Sequence, residues 1–157
     1  MSDLKPFFVY GTLLQGFQNH ETFISGKYEK IINGYIQNVY LRHFKQGYPG
    51  MYRVNDTKDN SQRVIGEIIF PKKECYLDLR TSLDGLEAYY GPNNPHNMYE
   101  RKEMNAMDEV GNIYGCITYI CLLNKSDGLI FGKDSFDWKN FMKSKGLRDA
   151  AEDWAKK

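Results

Sequence analysis

The sequence predicts an α+β domain built on a small mixed or antiparallel sheet, closed or nearly closed, with two or three flanking helices. Three observations predict it. Aromatic residues make up 15% of the 157 residues, with 12 Tyr and 9 Phe, and aromatic and β-branched side chains suit a pleated, half-buried surface. The strand-like segments cluster as neighbours instead of alternating regularly with helices, which disfavours a doubly wound parallel sheet. The length fits one domain, large enough to bury a core without disulfides or metals.

The elements follow in order. Residues 6–13 predict a strand leading into a glycine turn, and residues 18–26 fit a short helix closed by Gly26. Residues 28–33 and 34–44 are rich in aromatic and β-branched residues and predict strands. Gly47-Tyr48-Pro49-Gly50 reads as a turn, residues 51–54 as an extended segment, and the polar stretch 55–62 as a loop or hairpin tip. Residues 64–70 predict a strand ending at Pro71. Leu79, Leu83 and Leu86 then recur at intervals of four and three, the helical period, up to a stop at Gly91-Pro92. An irregular loop over 91–97 precedes a mixed strand at 99–107, a hairpin turn at 108–112, and the most apolar strand, 113–123, expected to be central and buried on both faces. After a loop at 124–135, Trp138, Phe141 and Met142 follow a helical pattern that breaks at Gly146.

Composition narrows the function classes. With 21 basic and 20 acidic residues the formal net charge is +1, which argues against a dedicated nucleic-acid binder. No apolar stretch approaches the roughly 20 residues that span a bilayer, and the N-terminus carries no signal-peptide pattern. Cys75, Cys116 and Cys121 are an odd number without metal-binding spacing, and Cys116 and Cys121 read as small core residues. A cytoplasmic protein with no membrane or nucleic-acid partner is expected.

Two segments carry chemistry. In Tyr10-Gly11-Thr12-Leu13 a strand ends in a turn whose successive N–H groups converge on one spot, a site for an anion or a carbonyl. With one glycine and no lysine at Walker spacing it is not a phosphate loop. A plain strand-to-turn junction reads equally well from this segment alone. In Leu83-Asp84-Gly85-Leu86-Glu87 the helical period puts Glu87 at the border of the leucine stripe, where desolvation raises a carboxylate's basicity; a solvated helix face is the alternative. Asp84 could equally face water. The histidines His20, His43 and His96 share no spacing with a partner and read as surface or loop residues. Tyr99 and Arg101, on one face of a strand, either reach a site or brace the preceding loop. No nucleophile elbow or Cys–His pair is present.

Taken jointly, Val9-Tyr10-Gly11-Thr12-Leu13, Gly47-Tyr48-Pro49, Val64-Ile65-Gly66-Glu67-Ile68 followed by Leu83-Asp84-Gly85-Leu86-Glu87-Ala88-Tyr89, and Tyr99-Glu100-Arg101 resemble the γ-glutamylcyclotransferase-like family, which includes the AIG2-like proteins and γ-glutamylamine cyclotransferases. The order and spacing cover residues 6–123. Asp137-Trp138 is only weakly similar to the family's C-terminal Gly-Asp-Trp, since Phe136 stands at the glycine. Ala88 stands where a glycine often follows the family's acid. The resemblance implies a small mixed β-barrel with flanking helices and a cavity at its mouth. It implies a metal- and cofactor-independent cyclotransferase in which the α-amine of a γ-glutamyl amine or small γ-glutamyl peptide attacks its own γ-carbonyl and 5-oxoproline is released. Glu87 takes the place of the catalytic acid, Tyr10, Gly11, Thr12 and Leu13 that of the substrate-binding loop, and Tyr48 and Tyr99 are expected to join them. A non-catalytic small-molecule binder or interaction module on the same fold, and an enzyme removing a γ-glutamyl group from a modified metabolite, are the alternatives. The leaving amine and the oligomeric state are left open.

Overall fold

The computed structural model describes residues 4–44, 48–54, 62–130 and 135–145. Its strands are β1 (Phe7–Val9), β2 (Tyr28–Gln37), β3 (Val39–His43), β4 (Pro49–Arg53), β5 (Arg63–Pro71), β6 (Tyr99–Asp108), β7 (Ile113–Cys121), β8 (Leu129–Ile130) and β9 (Ser135–Phe136). The helices are α1 (Gln18–Phe23), α2 (Tyr76–Leu86) and α3 (Trp138–Ser144).

Five strands close on themselves in the order β1-β7-β6-β2-β5, because β1 pairs with both β7 and β5. The β1–β7 contact is parallel and the other four are antiparallel, so the barrel is mixed. One glycine makes the closure possible: a Cβ on Gly66 would stand 2.2 Å from the carbonyl oxygen of Val9, so β1 lies against β5 only where β5 has no side chain. The strand β9 extends the sheet beyond β5, and β4-β3-β8 form a second small sheet beside the barrel.

The core follows from the apolar runs. Phe7, Phe8 and Val9 are all buried, although successive residues face opposite sides of a strand. Both sides of β1 are therefore covered, and Phe7 meets Tyr76 of α2 with ring centroids 5.7 Å apart. Cys116 to Tyr119 of β7 are likewise buried on both faces, as the sequence predicts, while Ile113 at the strand's start is 62% exposed. Cys116 and Cys121 are buried free thiols in this core.

Several boundaries differ from the sequence reading, each for a local reason. The strand predicted over 6–13 ends at Val9. The two strands predicted to meet at 33–34 instead divide at Asn38, whose φ of 65° is left-handed; asparagine tolerates that region better than most residues. Of the turn predicted over 47–50, Gly47 lies outside the described residues, and Pro49 and Gly50 already belong to β4. Most of the 55–62 loop and Gly146 also lie outside them.

The largest difference is at the end of α2. The helix stops at Leu86, with Glu87 as its cap, and not at Gly91. Tyr89 N–H donates to Asp84 O and Ala88 N–H to Gly85 O, the paired bonds of a Schellman ending. Ala88 fills the left-handed position of that motif with φ 51°. Leu79 and Leu83 are 1% exposed, but Leu86 is 36% exposed and stands outside the buried stripe.

Candidate active site

The turn after β1 is held from four sides. Leu14 N–H donates to Gly11 O at 3.1 Å, closing it. The neighbouring Gln15 N–H leaves the turn and donates to Glu67 Oε1 on β5 at 2.9 Å. From α1, Asn19 Nδ2 donates to Thr12 Oγ1 at 2.9 Å, and the His20 Nδ1 lies 3.0 Å from Leu13 O. A carbonyl oxygen only accepts, so that ring carries its proton on Nδ1. Pro49 of β4 packs on the fourth side, over Gly11. Among the described residues, the N–H groups of Gly11, Thr12 and Leu13 have no acceptor. The turn thus presents three N–H donors from a backbone fixed in place.

Glu87 is placed by the end of α2. Its N–H completes the helix by donating to Leu83 O at 2.9 Å, and its side chain leaves from the capping residue instead of from a helical face. The residue is half-buried, and no hydrogen bond or ion pair reaches its carboxylate among the described residues. Burial pushes this carboxyl up from the ordinary 4.5 to about 7. A position at the carbonyl end of a helix, where the macrodipole is negative, acts in the same direction.

Tyrosines surround the acid. Burial raises the phenols of Tyr10, Tyr48, Tyr99 and Tyr119 above the usual tyrosine range, and the nearby charge of Glu87 adds to the rise in each. The same charge reaches the Cys121 thiol, which is also raised chiefly by burial. These phenols are pinned: Tyr10 donates to Tyr119 O at 2.7 Å, Tyr99 to Pro49 O at 2.9 Å, and Tyr119 to Asp84 Oδ1 at 2.5 Å. Asp84 also pairs with Arg101, whose guanidinium lies 5.0 Å from the centre of the Tyr89 ring. Asp84 therefore does not face water alone; it ties the last turn of α2 to β6 and β7.

Of the residues singled out in the sequence, Tyr10, Tyr48, Tyr99 and Glu87 share one electrostatic neighbourhood, and Gly11 joins them through Pro49. Thr12 and Leu13 continue the turn. Tyr99 and Arg101 make bracing bonds, but to β4 and α2 and not to the preceding loop as expected: Tyr99 holds Pro49 and Arg101 holds Asp84. His20 is a correction, since it is 3% exposed and fixes the turn instead of lying on the surface. Asn19, Glu67, Tyr119 and Cys121 are further members that the sequence reading did not single out as site residues. Glu67 left one trace there, a lone carboxylate inside the apolar run Val64-Ile65-Gly66-Glu67-Ile68-Ile69-Phe70. No group of three or more His, Cys, Asp or Glu side chains is arranged to hold a metal among the described residues, and no helix there is long and apolar enough to cross a membrane.

The fold and this arrangement define a small closed barrel that carries a donor-rich turn after β1 and an isolated acid at the end of α2, among buried tyrosines. Residues 7–140 match the model of the family described as γ-glutamyl cyclotransferase, AIG2-like, and the chain belongs to that family. It is 31% identical over 140 residues, 85% of this chain and 75% of the relative, to a γ-L-glutamyl-butirosin B γ-glutamyl cyclotransferase from Niallia circulans. Among solved structures, it is similar to an AIG2-like protein from Mus musculus with a TM-score of 0.55 and 18% identity, over 85% of this chain and 88% of that one. An Arabidopsis thaliana protein superposes with a TM-score of 0.55 and 17% identity, over 90% of this chain and 85% of that one. The solved structures show the shared fold; the family match and the Niallia circulans relative support γ-glutamyl cyclotransferase activity.

Proposed function

We propose that the chain releases 5-oxoproline from a γ-glutamyl amine or small γ-glutamyl peptide, with Glu87 as the general acid and base. The observation that carries this reading is the unpartnered Glu87 carboxylate, pushed up to about 7. A base that titrates near neutral pH combines a usable ionised fraction with enough basicity to take a proton.

The reaction needs little else. The α-ammonium of the substrate gives one proton to Glu87, and the freed amine attacks the γ-carbonyl carbon of the same molecule. The tetrahedral intermediate collapses when Glu87 returns that proton to the leaving nitrogen and the amide C–N bond breaks. A second proton, from the new ring nitrogen, leaves by the same carboxylate. The products are 5-oxoproline and an amine. Because attacker and target share one chain, holding the substrate bent supplies much of the rate, and the proton transfers contribute about 10²–10⁴-fold. The Gly11, Thr12 and Leu13 N–H groups grip the α-carboxylate or the developing oxyanion. At an oxyanion, one fixed donor is worth roughly 3–4 kcal/mol.

The experiment offers purified protein a panel of γ-glutamyl amines and dipeptides and measures 5-oxoproline. Release by the wild type, lost in a folded Glu87→Gln variant, is expected; no release from any member overturns the proposal. The Niallia circulans relative, a γ-L-glutamyl-butirosin B γ-glutamyl cyclotransferase, favours including larger γ-glutamylated amines. Mass spectrometry of the co-product then tells removal of a γ-glutamyl group from a modified metabolite from turnover of free peptides.

A further inference from the structure

We infer that Glu67 is a positioning residue for the substrate turn, acting through the backbone of Gln15. Glu67 stands on β5 opposite Val9 of β1 and Asn33 of β2, and only 6% of its surface is exposed. A carboxylate buried in a strand that otherwise reads as apolar is costly unless its oxygens are used. Here both are used. Oε1 accepts the Gln15 N–H at 2.9 Å, and Oε2 faces Lys139 Nζ of α3 at 3.5 Å.

The direction of the Gln15 bond gives it meaning. Leu14 N–H closes the turn onto Gly11 O, and Phe17 N–H turns back to Leu14 O. The backbone could have continued the same i→i−3 pattern at Gln15, which would aim its N–H at Thr12 O. Glu67 draws that N–H the other way and ends the turn there. The three N–H groups that precede Leu14, at Gly11, Thr12 and Leu13, are the ones left without acceptors among the described residues. Asn19 and His20 fix Thr12 Oγ1 and Leu13 O from α1, so Glu67 supplies the opposing hold from the barrel. With Glu67 paired to Lys139, the donors are tied to β5 and through it to α3. This rests on the proposed reading that the turn receives the substrate. It adds a residue that touches neither substrate nor Glu87.

The test compares Glu67→Gln, Glu67→Asp and Glu67→Ala with the wild type. A glutamine oxygen still reaches the Gln15 N–H without the charge; aspartate keeps the charge but is one methylene short; alanine has no acceptor. Amide exchange of Gln15 by NMR is read alongside kcat/KM for 5-oxoproline release, with circular dichroism reporting the fold. Since a misplacement of about 1 Å can cost about 100-fold, Glu67→Ala is expected to lose about 10–100-fold in kcat/KM and Glu67→Gln to recover to within about threefold of wild type. Gln15 exchange should speed up in the alanine variant and slow again in the glutamine variant. Should the alanine variant not fold, the order decides: glutamine more active than aspartate supports the inference, and aspartate more active than glutamine overturns it. A folded alanine variant with wild-type kcat/KM and a protected Gln15 amide also overturns it. If the wild type releases no 5-oxoproline, the proposed function fails, and the exchange measurement alone decides: faster Gln15 exchange in Glu67→Ala upholds the clamp, and unchanged exchange removes it.

Discussion

The α-carbon of Gly11 lies against the ring of Pro49, so that a Cβ at position 11 would stand 2.7 Å from Pro49 Cγ and 3.0 Å from Cδ. Glycine is required here by close approach and not by backbone handedness. The ring it meets is itself fixed, since the phenol of Tyr99 holds the Pro49 carbonyl at 2.9 Å. Gly11→Ala therefore has to move either the donor turn or β4. Overpacking of this kind costs about 1–3 kcal/mol, and a misplaced donor turn costs about 100-fold in rate. The expected outcome is a modest shift in the urea midpoint with a disproportionate loss of kcat/KM. A variant with unaltered kinetics would separate the turn from substrate binding.

Asp84 holds the Tyr119 phenol and the Arg101 guanidinium together. Its side chain is 21% exposed and that of Arg101 22%, so both are mostly shielded from water. Asp84→Ala strands a cation and a buried hydroxyl at once. Each unsatisfied partner costs about 1–3 kcal/mol, and solvent at Arg101 keeps its share at the lower end, so the expected destabilisation is about 2 kcal/mol by urea denaturation. Tyr119→Phe removes one hydroxyl but leaves Asp84 paired with Arg101, and should cost about 1 kcal/mol. Equal losses in the two variants would show that Arg101 draws nothing from the pair.

The closed sheet was legible because the apolar strands announce themselves: β5, β6 and β7 fall within a residue or two of the segments their composition predicts. The donor turn was legible as a motif, through one glycine between aromatic and β-branched residues. Its supports were not. Asn19 and His20 reach Thr12 and Leu13 only because α1 folds back on the turn, which no motif announces, and Glu67 reaches Gln15 only through the closure of β1 onto β5. The end of α2 was misplaced because its left-handed residue is alanine. A glycine there would have signalled the cap, whereas Ala88 is a good helix former and let the helical pattern run on toward Gly91. That one residue decides whether Glu87 reads as part of a helical face or as the cap that ends α2.

Ala88 supplies a prediction of its own. At φ 51° its Cβ crowds the backbone, a conformation that costs a non-glycine residue about 1–2 kcal/mol. Glycine relieves the crowding but makes the unfolded chain more flexible, which returns about 0.4–1 kcal/mol. Ala88→Gly should accordingly be more stable than the wild type by about 0.5–1 kcal/mol, seen as a higher urea midpoint at unchanged slope. Both Schellman bonds are backbone bonds and survive the change. A destabilised variant would mean that the Ala88 methyl packs against something worth more than the strain.

Glu87 couples stability and activity through pH. Its carboxyl is raised to about 7 in the folded chain against an ordinary 4.5, so the fold binds its proton more tightly than the unfolded chain does. That contribution to stability is complete below pH 4.5 and is lost as pH rises through 7, where the fold must hold an unpartnered charge. Glu87→Gln never carries that charge. It should match the wild type near pH 4.5 and exceed it at pH 8. At about 1.4 kcal/mol per pH unit the full rise from 4.5 to about 7 would be worth about 3.5 kcal/mol, and with Glu87 only half-buried about 1–2 kcal/mol is expected after solvent screening. Thermal or urea denaturation at the two pH values measures it. The wild type should show kcat/KM rising with pH through an apparent pKa near 7 as Glu87 ionises, and the glutamine variant should show no activity across the range. A stability gap between the two proteins that does not grow between pH 5 and pH 8 would place the Glu87 carboxylate in water and remove the physical basis for its role as a base.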